Sequence, residues 1–273
     1  MKKSLINRLL VPAAMVVLMA SCTGKLSEYT NVIPADALLV VGFRTQSLID
    51  KSGVSDNDKQ KLMDAIKSGL NASTAQQIEK FMRDGSTFGL SMKDPVYLFV
   101  DGQLSSAAFV VKMDDVERFS KALEVMLPEM SIGPVVEADG YRRFTFKGGI
   151  CAFNESVLLI TAIHGDDDKI LSALMKQVKG ESIAVNAYFK NVSGKKGDII
   201  FVGQPDALLN QIRRENPQLE GMGLAGPRNS AIIGSLSFEK GRIALQIETA
   251  SEDKEVRAQL KRQSETFGEL NET

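Results

Sequence analysis

The chain has 273 residues, with 33 basic and 34 acidic side chains and a formal net charge of −1. Nucleic acids are bound by clustered lysine and arginine, so a balanced charge without a basic run argues against them as partners. The sequence has one histidine, which argues against metal sites built from several histidines and against most histidine-based catalytic triads. It has no tryptophan, which argues against an aromatic surface for stacking sugars. Composition therefore excludes several classes of function without selecting one.

Residues 1–21 are predicted to be a secretory signal peptide. Three basic residues precede an uncharged apolar run at 9–20, and the run ends in the small residues Ala20 and Ser21. This layout is typical of an export signal. The run holds about a dozen residues where a spanning helix needs roughly 20, and Pro12 interrupts it. The segment therefore does not predict a permanent transmembrane helix.

The end of the signal peptide, Leu18-Met19-Ala20-Ser21-Cys22, resembles the lipobox of bacterial lipoproteins. In that family the chain is cut before the cysteine, whose thiol carries a diacylglycerol with fatty acids such as palmitate. The resemblance implies that Cys22 is the lipidation site; Met19 stands where leucine is usual, but it is apolar and of similar volume. The alternative is an ordinary signal peptide that ends near a cysteine. Two or three acyl chains would hold the protein on a bilayer, since each buried methylene contributes about 0.8 kcal/mol.

Residues 22–31 are predicted to be the lipidated cysteine and a polar tether. The resemblance to lipoproteins also implies a location. Thr23 is not the aspartate that retains lipoproteins in the inner membrane, and the tether lacks the acidic cluster associated with surface export, since Glu28 is its one acid. We therefore expect an outer-membrane lipoprotein of the cell envelope that faces the periplasm, with the membrane as its partner through the lipid anchor.

Residues 32–180 are predicted to form a first α+β unit. Its predicted elements are a strand at 38–41, helices at 55–70 and 78–82, a hairpin at 96–100 and 107–111, a helix at 114–126, strands near 135–136, 141–146 and 157–163, and a helix at 170–178. Ser55 and Asp58 form a capping-box-like start for the first helix. Phe119 lies on the apolar face of the helix at 114–126, which predicts that it is a core residue.

Residues 181–273 are predicted to form a second, shorter α+β unit, or the end of one continuous domain. A strand at 198–203, a helix at 208–212, a hairpin at 231–238 and 243–247 and a helix at 252–267 repeat the order strand, helix, hairpin, helix of the first unit. The sequence therefore predicts the α+β class: antiparallel sheets with helices packed on one face, and a partial internal duplication.

The second unit has no counterpart to the strands at 135–163 of the first. If the two units share one architecture, the shorter sheet has an uncovered edge, whose unpaired N–H and C=O groups invite pairing with another chain. This predicts a protein partner or self-association at the C-terminal half. The alternative is a continuous sheet through both halves with no special edge.

The signal and lipobox, the tether, the element Ile33-Pro34-Ala35-Asp36-Ala37 and the element Asn186-Ala187-Tyr188-Phe189-Lys190 together resemble a family of uncharacterised lipoproteins. These are domain-of-unknown-function proteins of Bacteroidetes-type Gram-negative bacteria. The resemblance covers most of the chain and implies an exported lipoprotein. It carries no known activity, so no catalytic residue can be transferred to this sequence.

Local sequence motifs do not predict a catalysed reaction. The segment 221–226 matches the dinucleotide fingerprint, but a polar stretch precedes it and Pro227 follows, so it lacks the required strand and helix. His164 with the aspartates at 166–168 has no evident nucleophile nearby, and Cys151 lies in an apolar stretch typical of a buried thiol. The sequence thus predicts no catalytic, cofactor or metal residue. It favours a non-catalytic binding or scaffolding module; the alternative is an envelope hydrolase whose site is not visible from sequence.

Overall fold

A computed structural model describes residues 28–53, 55, 57–58, 60–61, 64, 72–83, 85–102, 107–126, 133–162, 167–215 and 230–258. The predicted signal peptide, the lipidation site Cys22 and the motif at 221–226 lie outside these residues. So do most of the helix predicted at 55–70 and most of the helix predicted at 252–267.

Strands account for the centre of the fold. They are β1 Leu39–Phe43, β2 Val96–Val100, β3 Ala107–Lys112, β4 Val136–Ala138, β5 Tyr141–Phe146, β6 Gly149–Phe153, β7 Val157–Ala162, β8 Ile199–Gly203, β9 Ala231–Glu239 and β10 Arg242–Ala250. In the described part of the chain these strands form one sheet, in the order β10-β9-β8-β1-β2-β3-β7-β6-β5-β4. Every neighbouring pair is antiparallel.

Helices connect the strands. They are α1 Thr45–Lys51, α2 Ala72–Arg83, α3 Val116–Met126, α4 Asp167–Met175, α5 Ala187–Ser193 and α6 Pro205–Glu215, with short 3-10 segments at Glu28–Val32, Gly85–Phe88, Lys179–Glu181 and Ile183–Val185. The α+β class is confirmed. The capping contact is also present, because the Asp58 backbone N–H donates to Ser55 Oγ over 3.2 Å.

Apolar side chains fill two clusters. The first cluster includes Val40, Phe99, Val110, Ile150, Leu159, Leu171, Phe189, Ile200 and Ile233, and the second includes Leu90, Val116, Phe119, Phe144, Cys151, Phe153 and Leu158. Consecutive residues of β6 and of β7 belong to different clusters. Since successive side chains of a strand point to opposite faces, the two clusters lie on the two sides of the sheet.

Helices therefore pack on both faces, and the prediction of helices on one face is not confirmed. α4 and α5 contribute Leu171 and Phe189 to the first cluster, whereas α3 contributes Phe119 to the second. The sequence of β6 explains this arrangement. All five residues of β6 are buried, so the strand is apolar on both faces of the sheet, and each face must pack against other elements.

The sequence correctly predicted the hairpin of β2 and β3, in which Val100 pairs with Ala107. It missed β6, whose residues were interpreted only as an apolar stretch. A two-residue turn at 147–148 joins Phe146 of β5 to Gly149 of β6, and Gly148 has a φ of +86°, a conformation that favours glycine. The strand was missed because its residues do not alternate between apolar and polar.

The two predicted units meet in the middle of the sheet. β1 pairs with β8, from Leu39 opposite Gly203 to Phe43 opposite Ile199. From this pair, β2 and β3 extend the sheet to one side while β9 and β10 extend it to the other. The strands are therefore continuous through both units, and β10 is still a terminal strand. The domain boundaries and the duplication stay predictions.

Candidate functional site

A buried carboxylate anchors a group of polar contacts among the described residues. The Asp198 side chain, just before β8, is 2% exposed and accepts from Lys51 Nζ at 2.7 Å. Ser47 Oγ donates to the same carboxylate over 2.5 Å, and the backbone N–H of Phe238 donates over 2.6 Å. We call these four residues the Asp198 cluster. It ties α1 to both β8 and β9.

The cluster keeps Asp198 ionised. Burial pushes the pKa of the Asp198 carboxyl upward, but the hydrogen bonds from Lys51, Ser47 and the Phe238 N–H outweigh it, so the pKa lies below its ordinary value. A nucleophilic serine needs a base that can take its proton, and a carboxylate held ionised by three donors is a poor base. The geometry fits a structural tie better than a catalytic dyad.

Arg44 reinforces this tie. Its guanidinium donates to the carbonyl oxygens of Gly197 and Lys195, over 2.6 and 2.7 Å. Charged donors make stronger hydrogen bonds than neutral ones, so Arg44 fixes the turn that leads into Asp198. The polar contacts around Asp198 thus hold the end of β1 and the start of α1 against the start of β8.

A concave region lies toward the opposite end of the sheet from the Asp198 cluster. It has a volume of about 390 Å³ and is lined by Glu117, Glu137, Ala138, Gly140, Tyr141, Arg142, Phe153, Asn154 and Glu155. The Arg142 guanidinium lies 5.2 Å from the centre of the Phe153 ring and 3.4 Å from a Glu117 carboxylate oxygen. Two residues that line the cavity thus hold Arg142: Phe153 through a cation–π contact and Glu117 through an ion pair.

The clearest surface feature is a row of apolar side chains on β10. Ile243, Leu245 and Ile247 are 67%, 56% and 59% exposed. They alternate with Ala244 and Gln246 and therefore point to one face of the sheet. We call Ile243, Leu245 and Ile247 the β10 stripe. Single exposed apolar residues are common, but three in register on one strand form a patch of the kind that marks an interaction surface.

The β10 stripe continues an apolar row across the neighbouring strands. Leu245 lies opposite Leu236 of β9, which lies opposite Ile199 of β8, which lies opposite Phe43 of β1. The side chains of Leu236, Ile199 and Phe43 are partly buried, whereas Leu245 is mostly exposed. Exposure of the row thus increases toward the edge of the sheet.

Most of the local sequence motifs lie outside the described residues. His164 and Asp166 lie outside the described residues, and Asp167 begins α4. Cys151 is buried and unpaired, and burial raises the pKa of its thiol to about 12, as expected for a buried thiol. In the described ranges no group of three or more His, Cys, Asp or Glu could hold a metal ion. No helix among them is long and apolar enough to cross a membrane.

Sequence reasoning missed the Asp198 cluster. One local signal was available: Ser47 and Lys51 are four residues apart, which puts both on one face of a helix. Their acceptor could not be found, because Lys51 and Asp198 are 147 residues apart in the chain. For the β10 stripe, the strand was predicted but not the exposure of its side chains, which depends on the position of β10 at the edge.

Together these observations define an α+β protein built on one antiparallel sheet, with a polar tie inside and an apolar stripe at one edge. The chain belongs to the family described as Domain of unknown function (DUF4836), which matches residues 29–273. No curated protein matches the chain. Among solved structures, it is similar to TP0453 in crystal form IV, with 8% identity and a TM-score of 0.48 over 84% of this chain and 82% of that chain. Crystal form I of TP0453 gives 10% identity and a TM-score of 0.46 over 87% and 85%.

Proposed function

We propose that this protein is a lipid-anchored envelope protein whose folded part is a non-catalytic binding or scaffolding module. The observation that supports this function is the β10 stripe, three exposed apolar residues on a terminal strand. Fully burying a leucine or isoleucine side chain contributes about 1.5–3 kcal/mol, so a partner that covers the stripe gains substantial free energy. The proposed surface is the outer part of the sheet, β9 and β10.

The N-terminal sequence supports the anchor. The export signal and lipobox predict lipidation at Cys22, and the folded part begins close behind it. Glu28–Val32, partly assigned to the tether from sequence, forms a 3-10 segment in which Tyr29 is buried. Six Cα–Cα steps from Cys22 to Glu28 span at most about 22 Å. The folded part would therefore lie near the bilayer. The resemblance to lipoproteins, with Thr23 after the cysteine, is the support for placing it on the periplasmic face of the outer membrane of a Bacteroidetes-type bacterium.

The polar groups around Asp198 and Arg142 make structural contacts within the chain. The donors around Asp198 stabilise its ionised form, and Arg142 is held by Glu117 and Phe153. Each of these groups already has partners that position the backbone or side chains of this chain. Within the described part of the chain, no observation favours the alternative of an envelope hydrolase.

Acyl labelling tests the anchor. Wild-type protein and the Cys151→Ala variant are expected to incorporate a labelled fatty acid in cells and to sediment with membranes after a high-salt wash. Cys22→Ala should lose the label and its stable membrane attachment, because acyl chains supply nearly all of the membrane affinity. Label that persists in Cys22→Ala, or that is absent from wild type, would contradict the lipoprotein proposal.

A further inference from the structure

The two terminal strands of the sheet differ in length. β4 has three residues, whereas β10 has nine. Natural edge strands are often kept from pairing by short length, proline, or lysine on the strand. β10 has the sequence RIALQIETA, without proline or lysine. It is long, regular and open to strand addition on the side away from β9, as far as the described residues extend.

The backbone of the β10 stripe faces this open side. A two-residue turn at 240–241 makes Glu239 and Arg242 a hydrogen-bonded pair, and along an antiparallel pair such residues alternate with non-bonded ones. The N–H and C=O groups of Ile243, Leu245 and Ile247 are consequently directed away from β9. The same residues thus carry both the exposed apolar side chains and the outward backbone groups.

We infer that β10 pairs in antiparallel fashion with β10 of a second copy, about a two-fold axis at Leu245. This inference rests on the proposed function and names the partner of the same surface. In this register Leu245 lies opposite itself and Ile243 lies opposite Ile247 of the second copy. Arg242 lies opposite Glu248 of the second copy, and the symmetry repeats both pairs. A two-fold interface needs such a self-complementary surface.

Charge favours this register over the one centred on Gln246. The side chains of Arg242 and Glu248 are 72% and 54% exposed; within the chain Arg242 pairs with Glu239 and Glu248 with Lys195, and in the proposed dimer Arg242 and Glu248 would also face each other across the edge. Opposite charges directly across a strand pair stabilise the pairing. A register centred on Gln246 would instead put Arg242 opposite Ala250 and Glu248 opposite Ala244, so that neither charge lies opposite an oppositely charged residue of the second copy.

Cysteine cross-linking of the full-length protein in its own membranes tests both partner and register. Hydrogen-bonded antiparallel neighbours have Cα atoms about 5.5 Å apart, within the range of a disulfide. Leu245→Cys should therefore form a covalent homodimer on mild oxidation. Ile243→Cys and Ile247→Cys should each stay monomeric when expressed alone and cross-link when expressed together. Val178→Cys is the matched control, since Val178 is 60% exposed but lies outside the sheet.

The outcomes separate this inference from the proposed function. Leu245→Cys dimers well above the wild-type and Val178→Cys background would support the second copy. Absence of such dimers, or self-cross-linking of Ile243→Cys alone, would overturn the proposed pairing or its register. Disulfide capture of a different envelope protein by Leu245→Cys would overturn the second copy as partner while leaving the binding module in place.

Discussion

Two regions of the sheet both carry apolar side chains and differ in whether a helix covers them. At what we call the closed end, formed by β5, β6 and β7 beside the short terminal strand β4, α3 covers the sheet: Phe119 packs against Phe153 with ring centres 5.0 Å apart, and both are buried. At the open end, formed by β9 and β10, Ile243 and Leu245 are mostly exposed. Strand periodicity therefore tells which residues share a face, whereas the elements packed on that face decide whether they are core.

Polar contacts attach the open end of the sheet to α1, whereas aromatic contacts attach the closed end to α3. Asp198 accepts from Phe238 of β9 and from Lys51 of α1, and thereby joins the second hairpin to the first part of the chain. Such a tie fixes the position of β9 without covering the face that carries the β10 stripe. The β10 stripe can therefore stay exposed although the neighbouring strand β9 is fixed by hydrogen bonds.

The largest expected difference between the two ends concerns stability. Phe119→Ala should lower the free energy of unfolding by about 3–5 kcal/mol, because it removes a buried ring and leaves a cavity beside Phe153. Leu245→Ala should change it by less than about 0.5 kcal/mol in dilute detergent solution, where the side chain is exposed. Urea denaturation of both variants measures this contrast. Similar losses in the two variants would show that the ends do not differ in packing.

The next largest effect is expected at the polar tie. Asp198→Ala should lower the free energy of unfolding by about 2 kcal/mol, because it removes charge-assisted hydrogen bonds and leaves the Phe238 N–H without its acceptor. Asp50→Ala is the matched control on α1: Asp50 accepts from Gln46 at the exposed surface, and its loss should cost less than about 0.5 kcal/mol. Equal losses would argue against a structural role for the cluster.

The Asp198 effect should also depend on pH. The pKa of Asp198 in the folded protein lies below the value of about 4 expected in the unfolded chain. Stability from the ionised carboxylate is therefore fully present above about pH 4–5 and is lost as the pH falls through the folded pKa. The stability difference between wild type and Asp198→Ala should be constant near neutrality and narrow below about pH 4. A difference that widens on acidification would contradict this sign.

Local features of the fold could be predicted from the sequence. The helix start at Ser55, the buried face that carries Phe119 and the hairpin of β9 and β10 each depend on spacing within a few residues. The pairing of β1 with β8 could not be predicted, because it joins distant segments through the backbone. For the same reason the sequence did not predict the Asp198 cluster or the terminal position of β10. It predicted that residues 243–247 form a strand, but not that this strand lies at the edge of the sheet.

The smallest predicted effect tests the central claim, that β10 pairs with itself, most directly. Arg242→Glu and Glu248→Arg, each alone, turn two cross-strand attractions into repulsions and should each weaken self-association about tenfold. The double variant restores opposite charges between the two copies but loses the ion pairs of Arg242 with Glu239 and of Glu248 with Lys195 within each chain, so it should associate more tightly than either single variant. Lys240→Glu, a charge change in the adjacent turn, is the control and should have little effect. Sedimentation equilibrium of the full-length protein in detergent measures all four. Rescue in the double variant is the predicted result, and a double variant weaker than either single one would contradict pairing about Leu245.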